Sequence, residues 1–375
     1  MAKRDILIVG GGLAGLSAAA MLQAHGFDVQ LIERAKVLQA AGAGITLHPN
    51  ARAALGPLDG EIARHGAEIR EQVVEDRDGV RSRLAWDAVW DGSLPLGIER
   101  GVLADRLHSV LEPETVIFGT HPVDLAQRAD AVEVRLSNEV TNRYRLVLGA
   151  DGIRSWMRAH VVDPAAQPHY LGQVYWRTVA PAKGALALSD WHVWRNGPHY
   201  AGGLPVGHGR AHFFLQMAAA EIPKLDKDGL HELFRKTVAE FPKRLGSIAA
   251  SLDKRSLAFT AASSLTTSRW AVGRVGLLGD AAHALSPAST QGGAMAIEDA
   301  RVLTEELCEH GPEPAALVAY AERRRPRVDL LQRLTRMHLM LLESDMPKGI
   351  GSQRTREISP VTWYQQLYGP MAKAA

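Results

Sequence analysis

The first fifty residues change their pattern of apolar and polar positions three times. Ile6-Leu7-Ile8-Val9 is a short apolar run with β-branched members, which is typical of a buried strand. A glycine-rich turn follows, and residues 13–22, rich in alanine and leucine, predict a buried helix. Residues 27–32 predict a second strand. This order predicts the start of a parallel sheet, and the glycines argue against a signal peptide over residues 6–22.

Strand-like patterns dominate two later stretches, residues 71–97 and 161–270. Between Arg210 and Met217 the residues alternate, so that His212, Phe214 and Gln216 share one face of the predicted strand and the residues between them share the other. Residues 230–245 predict a helix on the outside of this sheet. The pattern predicts a mainly antiparallel sheet inserted in the chain.

A long helix is predicted from Pro314 onward. It carries six arginines, at positions 323, 324, 325, 327, 333 and 336. Because no matching basic character occurs elsewhere in the chain, we expect a solvated helix that braces the first domain and not a nucleic-acid surface.

Composition narrows the class of protein. The 375 residues predict about two domains, and 46% hydrophobic with 22% charged residues is ordinary for a globular protein. The net charge of +2 gives no reason to expect a nucleic-acid or membrane partner. The single cysteine, Cys308, excludes an internal disulfide and a zinc site built on thiolates, and it predicts a reducing, cytoplasmic location.

The glycine turn after the first strand has the pattern G-x-G-x-x-G. Gly10 permits a tight turn, Gly12 lets a pyrophosphate approach the backbone, and Gly15 lets the helix pack closely on the strand. The helix N-terminus offers N–H groups to the phosphates. Glu33, at the end of the second strand, would accept hydrogen bonds from ribose hydroxyls, with Arg34 beside it. The pattern predicts a site for the ADP moiety of either NAD or FAD and does not decide between them.

Four motifs in order carry a resemblance to a known family. They are Gly42-Ala43-Gly44-Ile45 with His48-Pro49-Asn50; Arg100-Gly101-Val102-Leu103 with Leu107; Asp151-Gly152-Ile153-Arg154-Ser155-Trp156-Met157-Arg158; and Gly279-Asp280-Ala281-Ala282-His283 continuing through Pro287 to Gln291-Gly292-Gly293 and Glu298-Asp299-Ala300. With these motifs the chain resembles the single-component FAD-dependent aromatic hydroxylases of the para-hydroxybenzoate hydroxylase superfamily, closest to salicylate, 6-hydroxynicotinate and urate hydroxylases.

The resemblance implies the fold class, the domains and the cofactor. It implies an α/β protein with a Rossmann-like FAD-binding domain (1–70, 98–160 and 271–345), an inserted, mainly antiparallel β-sheet substrate domain (71–97 and 161–270), a C-terminal helical segment and a tail (346–375). It also implies the residues that bind FAD: Gly10, Gly12, Leu13, Ala14, Gly15, Glu33, Arg34, Gly44, Ile45, Arg100, Asp151, Asp280, Pro287, Gln291, Gly292 and Gly293.

The activity implied is that of a monooxygenase. NADH or NADPH would reduce FAD, and O₂ would form a flavin C4a-hydroperoxide that hydroxylates a small aromatic or N-heteroaromatic substrate. No second dinucleotide pattern is present, so the nicotinamide is expected to bind transiently, and no metal is expected. The protein would be a monomer or a homodimer. Two alternatives stay open, a FAD oxidoreductase that does not hydroxylate and a redox-inactive flavoprotein that binds a metabolite.

No sequence motif identifies the substrate site, so its candidate residues are chosen by their chemistry. A carboxylate on the substrate would require a buried cation, for which Arg177 and Arg195 are candidates. His48, His192, His199 and Tyr200 are candidate acid–base or hydrogen-bonding groups.

One position departs from the family. Relatives have glycine or alanine where this chain has Thr290, and a β-branched residue is unfavourable at positive φ. We therefore expect either a different loop conformation or a local role for the Thr290 hydroxyl.

Overall fold

The computed structural model describes residues 4–38, 43–76, 78–90, 92–343 and residue 365. Within these, the chain forms two compact units. The first unit comprises the described residues of Met1–Ala40, Leu103–His169 and Ser263–Gln332, and the second those of Ala41–Val102, Tyr170–Ala262 and Arg333–Ala375.

The described strands and helices are as follows. The strands are β1 (Arg4–Val9), β2 (Val29–Glu33), β3 (Gly44–Leu47), β4 (Ala67–Glu68), β5 (Glu71–Asp76), β6 (Gly79–Ala85), β7 (Leu96–Glu99), β8 (Val116–Phe118), β9 (Pro122–Gln127), β10 (Val132–Leu136), β11 (Thr141–Gly149), β12 (His169–Pro181), β13 (Trp191–Asn196), β14 (His199–Pro205), β15 (Arg210–Ala218), β16 (Ala258–Ser264), β17 (Ala271–Val272) and β18 (Val275–Leu277). The helices are α1 (Leu13–Ala24), α2 (Pro49–Leu55), α3 (Asp59–Ala63), α4 (Asp87–Trp90), α5 (Arg100–Ser109), α6 (Lys227–Ala239), α7 (Lys243–Ser251), α8 (Asp280–His283), α9 (Gly292–His310) and α10 (Pro314–Glu343).

The first unit is built on a largely parallel sheet in the order β17-β18-β11-β1-β2-β8. β10 also pairs with β11, and β9 pairs with β10. β1 lies parallel to both β2 and β11, and β18 lies parallel to β11. Ile6, Leu7 and Ile8 are fully buried, as expected of a strand covered on both faces. The predicted strand–turn–helix–strand unit is confirmed.

The second unit contains a seven-stranded sheet in the order β16-β12-β15-β14-β13-β5-β6 and a three-stranded sheet, β3-β7-β4. One face of the larger sheet packs on α6 and α7, where Trp176, Phe213, Leu215, Phe234 and Leu245 form much of the apolar core. The predicted alternation along β15 is therefore confirmed, since Phe213 and Leu215 face this core.

One predicted helix is two helices. The prediction of a single helix over residues 230–245 is wrong, because α6 ends at Ala239 and α7 begins at Lys243. Pro242 stands immediately before α7, where a proline has no helical N–H to lose.

The α/β class with a Rossmann-like part, an antiparallel sheet and C-terminal helices is confirmed. The functional domain division stays a prediction; by packing, residues 43–70 lie in the second unit. The predicted tail 346–375 lies outside the described residues apart from Gln365, whose Nε2 donates to the Val89 carbonyl at 3.1 Å. None of the described helices combines the length and apolar character that crossing a membrane requires.

Candidate functional site

Four predicted cofactor positions meet at one edge of the first unit's sheet. Gly10 follows β1, Glu33 ends β2, Asp151 follows β11 and Asp280 follows β18. These four strands are neighbours and run parallel, so their carboxyl ends lie side by side. In open α/β sheets this edge is where ligands bind.

The glycine turn at this edge has the geometry of a phosphate cradle. A Cβ on Gly10, whose φ is 112°, would lie 2.5 Å from the Ala150 carbonyl oxygen, and one on Gly15 would lie 1.9 Å from the Gly10 carbonyl oxygen. By contrast, a Cβ on Gly12 would meet nothing within 4 Å. Gly12 also leaves α1 without a side-chain cap. The open space at Gly12 and the N–H groups of Leu13 and Ala14, in the first turn of α1, fit a diphosphate.

Glu33 is held in place by the backbone. Its Oε2 accepts the Gly11 N–H at 2.7 Å and its Oε1 accepts the Ala35 N–H at 2.8 Å. Each carboxylate oxygen has a second lone pair, which suits a ribose hydroxyl next to the glycine turn. Arg34 beside it is exposed.

Asp151 has one buried oxygen that nothing in the described chain satisfies. Its Oδ2 accepts the N–H groups of Trp156 at 2.7 Å and Met157 at 3.1 Å, whereas Oδ1 has no hydrogen-bond partner among the described residues. Burial raises the pKa of this carboxyl. An orphaned acceptor at the ligand edge of the sheet fits a hydroxyl of the cofactor.

Asp280 is exposed at the start of α8, and a buried network of ion pairs holds the turn that precedes it. The Gly279 N–H donates to Asp299 Oδ2 at 2.8 Å, and His283 Nε2 lies 2.6 Å from the same oxygen. Arg324 binds Asp299 Oδ1 through Nε at 2.7 Å and Glu298 Oε2 through Nη1 at 2.6 Å. His283 is therefore a packed, hydrogen-bonded residue.

The charges in this network reinforce one another. Burial alone would raise the pKa of Asp299, but electrostatic attraction and hydrogen bonds from His283 and Arg324 overcome that effect and hold the pKa at about 2. Burial likewise opposes the charge of Arg324, yet its two carboxylate partners raise the pKa of its guanidinium.

Arg324 is the residue that sequence reasoning missed. The prediction that the arginines of α10 are all solvated is wrong for Arg324, which is 0% exposed. A signal was present, because Arg324 falls on the helical spacing of the buried apolar residues Leu317, Tyr320, Val328 and Leu331.

The loop between α8 and α9 contains the departure from the family pattern. Thr290 adopts the left-handed conformation, with φ 54° and ψ 16°, and its hydroxyl donates to the Ser289 carbonyl at 2.7 Å. Thr290, which directly follows the turn Pro287–Ser289, therefore has the positive φ that glycine adopts most easily. Gln291 is buried at the start of α9. A Cβ on Gly292 would lie 3.9 Å from Asp280 Oδ1, so this helix N-terminus adjoins Asp280, and Gly293 continues its first turn.

In the second unit, Gly44 and Ile45 lie on β3. A Cβ on Gly44 would come within 2.4 Å of the His212 Cβ, so only glycine allows this approach. Arg100 begins α5 next to this strand, and its N–H donates to the Ala43 carbonyl at 2.9 Å.

His48 precedes α2 and lies in an apolar setting. Its ring is 5.7 Å from that of Trp86 and 6.0 Å from that of Trp191. Burial lowers the pKa of His48 to about 3. A neutral imidazole in this place can donate or accept a hydrogen bond, but it is a weak base near neutral pH.

The remaining candidates divide between the two faces of the large sheet. The register places Tyr175, Arg177, Tyr200 and Arg195 on the face opposite α6 and α7. His199 lies on the other face, where its Nδ1 accepts the Ala218 N–H at 3.1 Å. His192 also lies there, 3.7 Å from Glu75. The structure therefore brings Arg177, Arg195 and Tyr200 together on one face and separates them from both histidines.

Arg177 is a half-buried cation. Burial lowers the pKa of its guanidinium, and the neighbouring charge of Arg100 lowers it further. Its guanidinium lies 4.7 Å from the centre of the Tyr175 ring, and Nη1 donates to Thr260 Oγ1 at 3.4 Å. In the part of the chain that the structure describes, no carboxylate forms an ion pair with it.

Comparison with known proteins agrees with the motifs. Residues 103–335 match the family model "FAD binding domain", and residues 8–58 match "NAD(P)-binding Rossmann-like domain". The chain is 31% identical over 324 residues to the aurachin C monooxygenase/isomerase of Stigmatella aurantiaca, covering 84% of this chain and 83% of that protein. It is 31% identical over 402 residues to the 3-amino-4-hydroxybenzoate 2-monooxygenase of Streptomyces cremeus, covering 99% and 97%.

A solved structure has the same fold over nearly the whole chain. The crystal structure of Klebsiella pneumoniae HpxO complexed with FAD and uric acid superimposes with a TM-score of 0.84 and 27% identity, covering 97% of this chain and 92% of that chain. The glycine cradle, the orphaned oxygen of Asp151 and the exposed Asp280 fit the same cofactor. The chain therefore belongs to the para-hydroxybenzoate hydroxylase superfamily of FAD-dependent aromatic monooxygenases, and its cofactor is FAD.

Proposed function

We propose that this monooxygenase hydroxylates a small aromatic or N-heteroaromatic compound that carries a negative charge, and that Arg177 binds that charge. The observation that supports this is the half-buried guanidinium of Arg177, which has no carboxylate partner among the described residues. A desolvated cation is costly unless an opposite charge accompanies it. An anionic substrate on this face of the second unit's sheet would supply that charge.

The neighbouring side chains suit a flat ring with a hydroxyl group. Tyr175 and Tyr200 offer hydroxyls 2.8 Å apart, and Phe214 packs edge-on against Tyr200 with 6.0 Å between ring centres. Aromatic rings can stack with the substrate, while the phenol groups orient its hydroxyl. Among the relatives, one acts on 3-amino-4-hydroxybenzoate and one structure holds uric acid, which supports a substrate of this size.

The chain's own residues have distinct tasks in the reaction. When bound, FAD supplies the redox chemistry, taking electrons from NAD(P)H and activating O₂. The glycine turn and Glu33 would hold its ADP part, and Asp151 and Asp280 would bind hydroxyl groups. The N-terminus of α9 would favour negative charge on the ring system, typically by about 0.3–2 kcal/mol. The buried rings of His48, Trp86 and Trp191, which pack together after β3, would exclude water there.

The test is NADH and NADPH oxidation by FAD-loaded protein with a panel of hydroxylated aromatic and N-heteroaromatic acids, with peroxide measured in the same samples. We expect one acid to accelerate oxidation without matching peroxide. Arg177→Met should raise the KM for that acid by about tenfold or more, in line with the loss of a charge-assisted hydrogen bond of roughly 1.5–3 kcal/mol. Arg235→Met, at an exposed position on α6, is the matched control.

The result that contradicts the proposal is an acid whose KM is the same in the wild type and in Arg177→Met. If no compound accelerates oxidation, or if only peroxide forms, hydroxylation itself is refuted for that panel. Rapid reduction of the flavin by NAD(P)H would separately eliminate a flavoprotein that only sequesters a metabolite. The relatives named above are monooxygenases, so neither alternative is favoured.

We also propose a cytoplasmic location, which the single cysteine supports. A monomer or homodimer remains our proposal for the oligomeric state, and size-exclusion chromatography with light scattering tests it.

A further inference from the structure

Gln216 carries a buried amide that the described chain leaves unsatisfied. The residue lies on β15 and is 0% exposed, and neither its Oε1 nor its Nε2 has a hydrogen-bond partner among the described residues. Two other buried polar side chains of this sheet are paired. Gln173 accepts from the Tyr175 hydroxyl at 3.2 Å, and His212 Nδ1 lies 2.9 Å from the Thr178 carbonyl oxygen. A buried group with both polar atoms unsatisfied indicates a partner that lies outside the described residues, such as a bound ligand.

Two tyrosines flank Gln216 on the neighbouring strands. β15 lies between β12 and β14, and Gln216 is directly opposite Tyr175 on one neighbour and Tyr200 on the other. Their hydroxyls are 2.8 Å apart, so the two side chains join across the strand that carries Gln216. We call Tyr175 and Tyr200 the tyrosine bridge. It spans the strand position that carries the amide, and the Arg177 guanidinium lies 4.7 Å from the centre of the Tyr175 ring.

The chemistry of an unsatisfied primary amide defines its complement. Oε1 requires a donor and Nε2 requires an acceptor, and the two atoms are held side by side. A flat ring offers this pair when a ring N–H stands next to a ring carbonyl, as in a lactam. Glutamine reads adenine through an adjacent donor and acceptor in the same bidentate way. A phenol or a benzoate ring has no such edge.

We propose that Gln216 recognises the lactam edge of an N-heteroaromatic substrate, which enters as the tyrosine bridge opens. This rests on the proposed function, because it identifies the class of ring that the same sheet face accepts. Opening the bridge breaks the hydrogen bond between the two hydroxyls, while the substrate forms two hydrogen bonds with the amide. Selectivity follows from the same geometry, since a ring without the lactam leaves both amide atoms buried and unsatisfied.

The first experiment compares two bicyclic probes, 2-quinolone, which has the lactam edge, and 2-naphthol, which lacks it. Their dissociation constants are measured by calorimetry on FAD-loaded protein without NAD(P)H, so that binding is scored apart from turnover. We expect the wild type to bind 2-quinolone at least about tenfold more tightly than 2-naphthol. Gln216→Leu should bring the ratio to about one. If Gln216→Leu keeps the wild-type ratio, or if the wild type shows no preference, the inference is overturned.

The second experiment asks whether the amide is unsatisfied or is paired with a trapped water. Thermal unfolding without ligand is compared for Gln216→Leu and for Gln173→Leu, a buried and paired glutamine on the adjacent strand. Gln173→Leu should lower the midpoint, whereas Gln216→Leu should leave it unchanged or raise it. A drop as large as that of Gln173→Leu would show an amide already satisfied by water, and it would overturn the inference.

The two proposals fail separately. If 2-quinolone binds with a preference that depends on Gln216 but no compound is hydroxylated, recognition by Gln216 stands and the proposed function falls. If acids are hydroxylated but the lactam preference survives in Gln216→Leu, the proposed function stands and recognition by Gln216 falls.

Discussion

Replacing Arg324 with methionine tests the buried network behind the Gly279–Asp280 turn. The guanidinium is 0% exposed and binds two carboxylates, those of Asp299 at 2.7 Å and Glu298 at 2.6 Å, which are 0% and 2% exposed. Its removal takes the guanidinium from both buried carboxylates and leaves Asp299 with His283 at 2.6 Å and Glu298 with Arg327 at 3.7 Å. Breaking a buried pair by removing one partner costs about 3–5 kcal/mol, whereas methionine of similar length keeps much of the apolar packing. We therefore expect Arg324→Met to lose about 3–5 kcal/mol of unfolding free energy.

The assay is thermal unfolding followed by calorimetry, together with the ratio of flavin to protein absorbance. A loss of this size corresponds to a lower midpoint by about 6–20 °C for a unit of 150–250 residues. Flavin content should fall as well, because Asp299 fixes the Gly279 N–H next to Asp280. The control is Arg323→Met at the adjacent position, where the side chain is 33% exposed and pairs with Glu305 and Glu306. That change should cost about 1 kcal/mol or less.

The same variant has a predicted pH dependence. The pKa of Asp299 is lowered from 3.8 to about 2, so its contribution to stability is fully present above about pH 4 and is lost as the pH falls through 2. The difference between the wild type and Arg324→Met should therefore narrow as the pH drops from 4 toward 2. A midpoint within 2 °C of the wild type at pH 7, or a difference that widens in acid, would refute the reasoning.

Two further predictions concern the cofactor loops. Gly12→Ala should fold normally but bind FAD weakly, because a Cβ there meets no protein atom within 4 Å, whereas Gly15→Ala should fail to fold, because its Cβ would lie 1.9 Å from the Gly10 carbonyl oxygen. Circular dichroism with flavin absorbance separates these outcomes, and a Gly12→Ala protein with full flavin content would contradict the assignment of that space to phosphate. Thr290→Gly should raise the thermal midpoint. It removes the cost of a left-handed threonine, about 1–2 kcal/mol, and the extra backbone entropy that glycine loses on folding, about 0.5–1 kcal/mol, is smaller. A lower midpoint would instead show that the Thr290 hydroxyl bond to Ser289 stabilises the loop.

Short-range patterns were sufficient for the beginning of the first unit. The run from Ile6 to Val9 and the glycine turn are local signals, and the resemblance named Asp151 and Asp280 as cofactor residues, which the structure brings to one edge. The period of two along β15 also separated the two faces correctly. These features depend on spacing within a few residues, which a sequence displays directly.

The features that the sequence did not predict depend on contacts between residues that are far apart in the chain. Arg324 meets Asp299 from another helix, 25 residues away, so its burial depends on tertiary contacts and shows only as a position on an apolar helical face. The surroundings of Gln216 likewise depend on Tyr175 and Tyr200, which lie on separate strands. His199 and Tyr200 were equal candidates by composition. As consecutive strand residues they face opposite sides, and only the register of β14 shows that Tyr200 is the one that faces away from α6 and α7.

The buried network has a consequence for how the apoprotein meets its cofactor. Since Asp299, His283 and Arg324 fix the Gly279–Asp280 turn through contacts within the protein, the turn is ordered before any ligand arrives. Binding then requires little loss of conformational freedom in this loop, and affinity for FAD is gained through preorganisation. Stripped protein should accordingly take up FAD without a slow folding phase, and its α8–α9 region should already be protected from hydrogen exchange.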